Sequence, residues 1–260
     1  MNPMAAVGVF MGFLSDPGLP GSSVNAVVVS GEYPEFTERL RGMGIAVIST
    51  APCPSLAGPV AYHADMQLCD FGKGHAFALK ESFLNLNEQL SAIDILLCET
   101  EHRAEPIYPR DILCNCLILG GYLFGRLDAV DPAILKYAGT AGLEPVNIKQ
   151  GYAACSSCVI SGNAVITEDP SIAAAAGERR IDVLKITAGN NIMLPGYDTG
   201  FIGGCSGKLD LDTIVFTGDI KTHSDFERID GFLRHYDIRY ICLSDNRLLD
   251  IGGIIPVIEA

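Results

Sequence analysis

Residues 149–207 read KQGYAACSSCVISGNAVITEDPSIAAAAGERRIDVLKITAGNNIMLPGYDTGFIGGCSG. The stretch opens on two cysteines, Cys155 and Cys158, and closes on a glycine-rich loop that carries a third, Cys205. Between them lie two short apolar runs, CVISG and NAVITE, then a helical pattern, PSIAAAAGERR, then a third apolar run, IDVLKIT. Asp169-Pro170 marks the helix start, because Asp accepts from the free first-turn amides and Pro at the first helical position forfeits no hydrogen bond. The reading is one strand–strand–helix–strand unit.

The unit recurs outward in both directions. CLILGG with YLFGR (116–126) matches CVISG with NAVITE (158–168) almost position for position and leads into another Asp-Pro, Asp131-Pro132. GFIGGCSG with TIVFTGD (200–219) reads as the same strand pair, with Ser224 as the next cap. MQLCD with HAFALK (66–80) is a weaker copy. Helix-then-strand pairs follow at 35–50, 82–99, 132–149, 170–187 and 224–245, with apolar residues such as Phe226, Ile229 and Leu233 at helical spacing. Self-similarity at this period is the mark of a repeat architecture. The expected fold is an α/β propeller of about five ββαβ units around a pseudo-fivefold axis. A doubly wound parallel sheet also alternates strands and helices, but the paired strands and the lack of GxGxxG after the first strand favour the ring. Unit one lacks a first strand, which Ile254–Ile258 at the other end of the chain can supply. With no linker or charge block, residues 1–260 read as one domain.

The net charge of −13, with no Lys/Arg cluster, argues against nucleic acid and favours a small cationic ligand. Charged residues are only 19%, against roughly 25% in ordinary domains, which points to extensive burial and to a homo-oligomer interface. Nine cysteines inside apolar runs suit a reducing compartment and a cytoplasmic protein. The apolar run Met4–Leu14 has no basic residue before it and reads poorly as a signal peptide, and no apolar stretch is long enough to cross a membrane.

The segments YHADMQLCDFG, NIKQGYAACSSCVI, LPGYDTGFIGGCSG and LSDNRLLDIGGIIPV resemble an uncharacterised bacterial family predicted to share the pentein fold of guanidino-group-modifying enzymes. The resemblance covers nearly the whole chain. It implies a Cys nucleophile, a His general acid/base and carboxylates that grip a guanidinium. In characterised members the Cys follows Gly-Gly near the C-terminus; here Asp250 to Pro256 contains Gly252-Gly253 but no cysteine. Their His-x-Asp pair falls in a later unit, whereas His63-Ala64-Asp65 lies in the second.

By position in the repeat, the loops entering the inner strands hold the chemistry. Cys155 is the first candidate nucleophile, activated by Lys149 or His63, with Cys158 and Cys205 behind it. The CxxC also admits other readings: a four-thiolate zinc site with Cys114 and Cys116, a redox pair, or packed thiols. His63 would move the proton. Asp65, Asp198, Asp245 and Asp250 would hold the cation, and Tyr152 and Lys149 would orient thiol or substrate. Gly203 and Gly204 could present amides to an anion. No cofactor and no metal are implied. The expected activity is Cys-dependent hydrolysis or transfer on a small guanidino or amidino compound, with non-catalytic binding in the same pocket as the alternative.

Overall fold

The computed structural model describes residues 12–189 and 191–260, so most of the apolar run Met4–Leu14 lies outside it. Unit one contributes β1 (Gly12–Phe13), β2 (Val24–Ser30), α1 (Pro34–Gly42) and β3 (Ala46–Thr50). Unit two has α2 (Ala64–Gln67), β4 (Leu68–Asp70), β5 (His75–Ala78), α3 (Phe83–Ser91) and β6 (Leu96–Glu99). Unit three runs β7 (Leu117–Leu119), β8 (Tyr122–Gly125), α4 (Pro132–Thr140) and β9 (Glu144–Asn147). Unit four runs β10 (Ser157–Ser161), β11 (Ala164–Thr167), α5 (Pro170–Glu178) and β12 (Asp182–Lys185). Unit five runs β13 (Ser206–Asp210), β14 (Thr213–Phe216), α6 (Phe226–His235) and β15 (Arg239–Cys242), and β16 (Ile254–Glu259) ends the chain.

Units two to five each form a three-stranded sheet whose first pair is antiparallel and whose second pair, bridged by the helix, is parallel. Unit one takes its inner strand from the far end of the chain: β16 pairs antiparallel with β2, Ile254 opposite Val29, and β2 pairs parallel with β3. The C-terminal strand therefore completes the first unit, as its apolar pattern suggests.

Packing explains the ring. Each of the helices α1, α3, α4, α5 and α6 buries a pair of apolar residues one turn apart, and those residues seal the seam with the preceding unit. Leu86 and Leu90 of α3 join Val28 and Val257 of unit one. Ile134 and Ala138 of α4 join Phe77 of unit two, and Ile172 and Ala176 of α5 join Leu117 and Phe124 of unit three. Ile229 and Leu233 of α6 join Ile160 and Ile166 of unit four, while Phe36 and Leu40 of α1 meet Val215 and Leu243 of unit five. The seams run one to two, two to three, three to four, four to five and five to one. That closed cycle is the architecture, since no unit could bury its helix alone.

The helix starts bear out two caps and correct a third. The Asp131 carboxylate accepts from Ala133 N at 3.0 Å, and that of Asp169 from Ser171 N at 2.7 Å and Ile172 N at 2.9 Å. Ser224 does not cap α6; Asp225 occupies the cap position, and its carboxylate binds Thr187 N and Arg228 instead. GFIGGCSG is also not itself the strand. Gly203–Cys205 form a 3₁₀ turn, and β13 starts only at Ser206 because the preceding backbone is drawn against the loops of units one and four. No helix among the described residues is long and apolar enough to cross a membrane.

Candidate functional site

The loops that lead into the five inner strands meet at one end of the ring. Asn115, Cys155, Gly204 and Gly252 each stand two residues before their inner strand, and Asp65 stands three before β4. Backbone hydrogen bonds lace these loops together. Asp65 N donates to Gly252 O at 3.0 Å, Gly204 N to Cys155 O at 2.9 Å, and Ile251 N to Gly204 O at 2.9 Å. The fit leaves room only for glycine at several points, Gly203, Gly204 and Gly252 among them. A Cβ at Gly204 would collide with the Asp250 carboxylate. One at Gly252, whose φ of +80° already excludes most side chains, would collide with His63.

His63, Asp65 and Cys155 come together here, all buried, with their Nδ1 or Nε2, carboxylate oxygen and Sγ atoms within 4.8 Å of one another. Asp250 completes the group: its Oδ1 lies 3.7 Å from His63 Nδ1. Its Oδ2 accepts from Phe201 N at 2.9 Å and its Oδ1 from Gly252 N at 3.0 Å, which fixes the carboxylate. Asn115 is the hub of the group. Its Oδ1 accepts from Ala154 N at 2.8 Å, and its Nδ2 lies 3.0 Å from Cys155 Sγ and 3.1 Å from Asp65 O. Glu168, at the end of β11, accepts from Ile202 N at 3.3 Å. Asp65 and Asp250 thus face one imidazole, and Glu168 stands near Asp250. His63 Nδ1, Asp65 Oδ1 and Glu168 Oε2 are buried and make no hydrogen bond within the protein.

Electrostatics follow from burial. Desolvation pushes Asp65 up to about 6, against the opposing pull of His63, with Asp250 adding to the rise. Glu168 is raised to about 8, again mainly by burial. The Cys155 thiol is held well above its ordinary range by burial first and by the charges of Asp65 and Asp250 next, while Asn115 works the other way. At rest the thiol is protonated.

The remaining sequence candidates fall elsewhere. Cys158, on β10, belongs to the core between units four and five and is pushed up to about 12 by burial. Cys155 packs instead in the core between units two and three, and both cysteines are free and buried. Cys205 donates to Ile202 O at 3.3 Å within a buried turn. No four-thiolate group forms among the described residues; the one group placed to hold a metal ion is His63, Asp65 and Cys155. Lys149, Asp198 and Asp245 are exposed and stand outside the buried group. The amide of Gly204 is bonded to Cys155 O, and a Cβ at Gly203 or Gly204 would collide with backbone carbonyls or the Asp250 carboxylate. Tyr152 forms a wall beside Phe201, its phenol donating to Asp111 at 2.7 Å. Asn115 and Glu168 escape the sequence reading because one hides inside a C-x-C and the other ends a strand. The common offset before each inner strand is the signal that finds Asn115.

Solved structures share this architecture at low identity. Inosamine-phosphate amidinotransferase from Streptomyces griseus matches with a TM-score of 0.57 and 13% identity over 92% of this chain and 95% of its own. Agmatine deiminase from C. jejuni gives 0.54 and 10% over 93% and 95%. DDAH from Pseudomonas aeruginosa, complexed with citrulline, gives 0.52 and 8% over 89% and 96%. These are pentein-fold enzymes, and the likeness establishes the fold. No curated protein matches the sequence. The profile of a family of unknown function, DUF6873, matches residues 28–255, and with nearly the whole ring inside that match the chain belongs to this family.

Proposed function

We propose that the protein is a cysteine-dependent enzyme acting on a small guanidino or amidino compound. The observation that carries this reading is the meeting of Cys155, His63, Asp65 and Asp250 in one buried group, in which His63 Nδ1 and Asp65 Oδ1 have no hydrogen-bond partner. A planar guanidinium offers several N–H donors in fixed directions and a delocalised positive charge, which suits the Asp65 and Asp250 carboxylates beside the thiol. Docked there, the cation offsets the two carboxylate charges that hold the Cys155 thiol up, so the thiolate forms once substrate is present. Asn115 Nδ2, 3.0 Å from Sγ, favours that anion.

The thiol proton passes to His63 as Sγ bonds to the central carbon of the amidino group. His63 returns the proton to the departing nitrogen as its C–N bond breaks. The amidino group, now on sulfur, passes to water or to a second amine, and the thiol is restored. Binding without chemistry is the second reading, favoured by the protonated resting thiol and by the absence of a cysteine beside Gly252-Gly253.

One experiment separates the two. The native protein is treated with 2-chloroacetamidine, which has the shape and charge of an amidino substrate, and in parallel with neutral iodoacetamide, and the adducts are mapped by mass spectrometry. The proposal expects a single saturable adduct at Cys155, formed much faster with the amidine. Slow labelling with no preference between the reagents would leave only binding.

A further inference from the structure

Residues of all five inner strands line a half-open cavity of about 140 Å³ on the propeller axis. It adjoins the functional site. Asp65, whose carboxylate lies within 4.8 Å of Cys155 Sγ, forms part of its wall. So do Ala154, Gly203 and Gly253, the chain neighbours of Cys155, Gly204 and Gly252. A group seated in the cavity therefore stands next to the thiol, on the inner-strand side of the loops that hold it.

The wall is mainly apolar. Leu117, Ile118, Val159, Ile214 and Ile255 come to it from four different units. Cys69 and Cys116 add to the apolar surface, because a protonated thiol packs as a small hydrophobe. Lys208 is the one amine in the wall, and two carbonyls engage it: its Nζ donates to Leu211 O at 2.6 Å and to Ile160 O at 3.0 Å. Burial also disfavours its charge. The acid that lines the cavity besides Asp65 is Asp70. A ligand carboxylate would meet this second acid and no uncommitted cation, so its transfer from water would go uncompensated. An alkyl chain or a ring would gain contact on every side. An apolar cavity of about 150 Å³ holds a molecule the size of benzene, so this one has room for about four to six carbons.

We propose that the axial cavity is the tail subsite of the enzyme: it holds the apolar N-substituent of the substrate while the amidino carbon meets Cys155. The substrate class is then alkyl or aryl guanidines and amidines that carry no carboxylate. The inference rests on the reading of Cys155 as the nucleophile and adds what the substrate bears beyond its amidino group.

The test is saturable labelling of the native full chain by 2-chloroacetamidines whose second nitrogen carries a methyl, propyl, butyl or 3-carboxypropyl group, with Cys155 adducts quantified by mass spectrometry. The saturation constant is expected to fall roughly fourfold per added methylene. The limiting rate should stay unchanged, since the tail is held alike before and during the reaction. The carboxypropyl reagent should bind no better than the methyl one. Val159→Phe, which fills part of the cavity, should remove the gain from chain length and leave labelling by the methyl reagent intact. Should that variant not fold, competition in the unsubstituted protein gives the second readout. Butylguanidinium should protect Cys155 from the methyl reagent at a concentration at least about tenfold below that of guanidinium. Cys155 labelling indifferent to chain length, a preference for the carboxylate, or an undiminished gain in Val159→Phe would overturn the subsite and leave the nucleophile standing. No Cys155 adduct with any of the four reagents would remove the nucleophile, and the subsite with it.

Discussion

Two groups of buried thiols sit within one apolar core, between units two and three, and they differ in everything but burial. Cys53, Cys69, Cys114 and Cys116 pack among Phe71, Phe77 and Leu79. Cys69 is held up first by its hydrogen bond with the Cys116 thiol and then by burial, and Cys114 by burial foremost. Cys155 borders the same core, yet its sulfur faces Asp65, Asp250, His63 and the Asn115 amide. A thiol raised by desolvation alone stays inert, whereas one raised in part by nearby anions changes state when a cation neutralises them. Composition does not distinguish the two groups; among these thiols only Cys155 lies in one group with a histidine and a carboxylate.

The largest expected effect breaks the comparison outright. Cys155→Ser is expected to abolish amidine labelling, while Cys69→Ser and Cys116→Ser leave it intact, as read by intact-mass spectrometry. Next comes Asp250→Asn, which removes an anion 3.7 Å from His63 and near the thiol. Labelling by the cationic reagent should fall about 100-fold, while labelling by iodoacetamide rises up to about tenfold, because the thiol now ionises more easily. Opposite signs for the two reagents are the point of that experiment. Asn115→Leu keeps the volume but loses the donor to Sγ, and both reagents should slow by about tenfold, one unit of thiol pKa.

The smallest effect sharpens the comparison through pH. Asp65, Asp70 and Glu168 all have folded pKa values raised above their ordinary ones, mainly by burial. The native state therefore binds more protons than the unfolded chain across about pH 4 to 8, and the stability present at the acid end is lost as pH climbs through that window. The melting temperature should fall by roughly 5 °C between about pH 5.5 and 8, and Glu168→Gln should flatten the curve.

Much of the fold is legible in the sequence, because Asp-Pro starts, helical apolar pairs and twin strand runs repeat at a regular interval. The closing role of β16 follows from the one unit short of a strand. What escapes is set by contacts distant in sequence. Nothing around Ser224 reveals that Asp225 is drawn to Thr187 N, across 38 residues. The site divides in the same way. His63, Asp65, Cys155 and Asp250 stand out as reactive types in inner loops, and these are the residues the ring brings together. Lys149, Asp198 and Asp245 occupy the same loops but point to solvent, since loop membership does not fix which way a side chain faces. Asn115 is invisible as a lone amide; it gains meaning only where the loops of units two, three and four touch.

The central claim is that a cation between the carboxylates switches the Cys155 thiol. The most direct measurement is a pH titration of the Cys155 ¹³Cβ NMR signal in cysteine-labelled protein, assigned with Cys155→Ser, in guanidinium chloride at about 20 mM and in sodium chloride at the same strength. A drop in the apparent thiol pKa of about two units in guanidinium, absent in sodium, is the predicted result. An unchanged pKa, or the same change in both salts, would contradict the account.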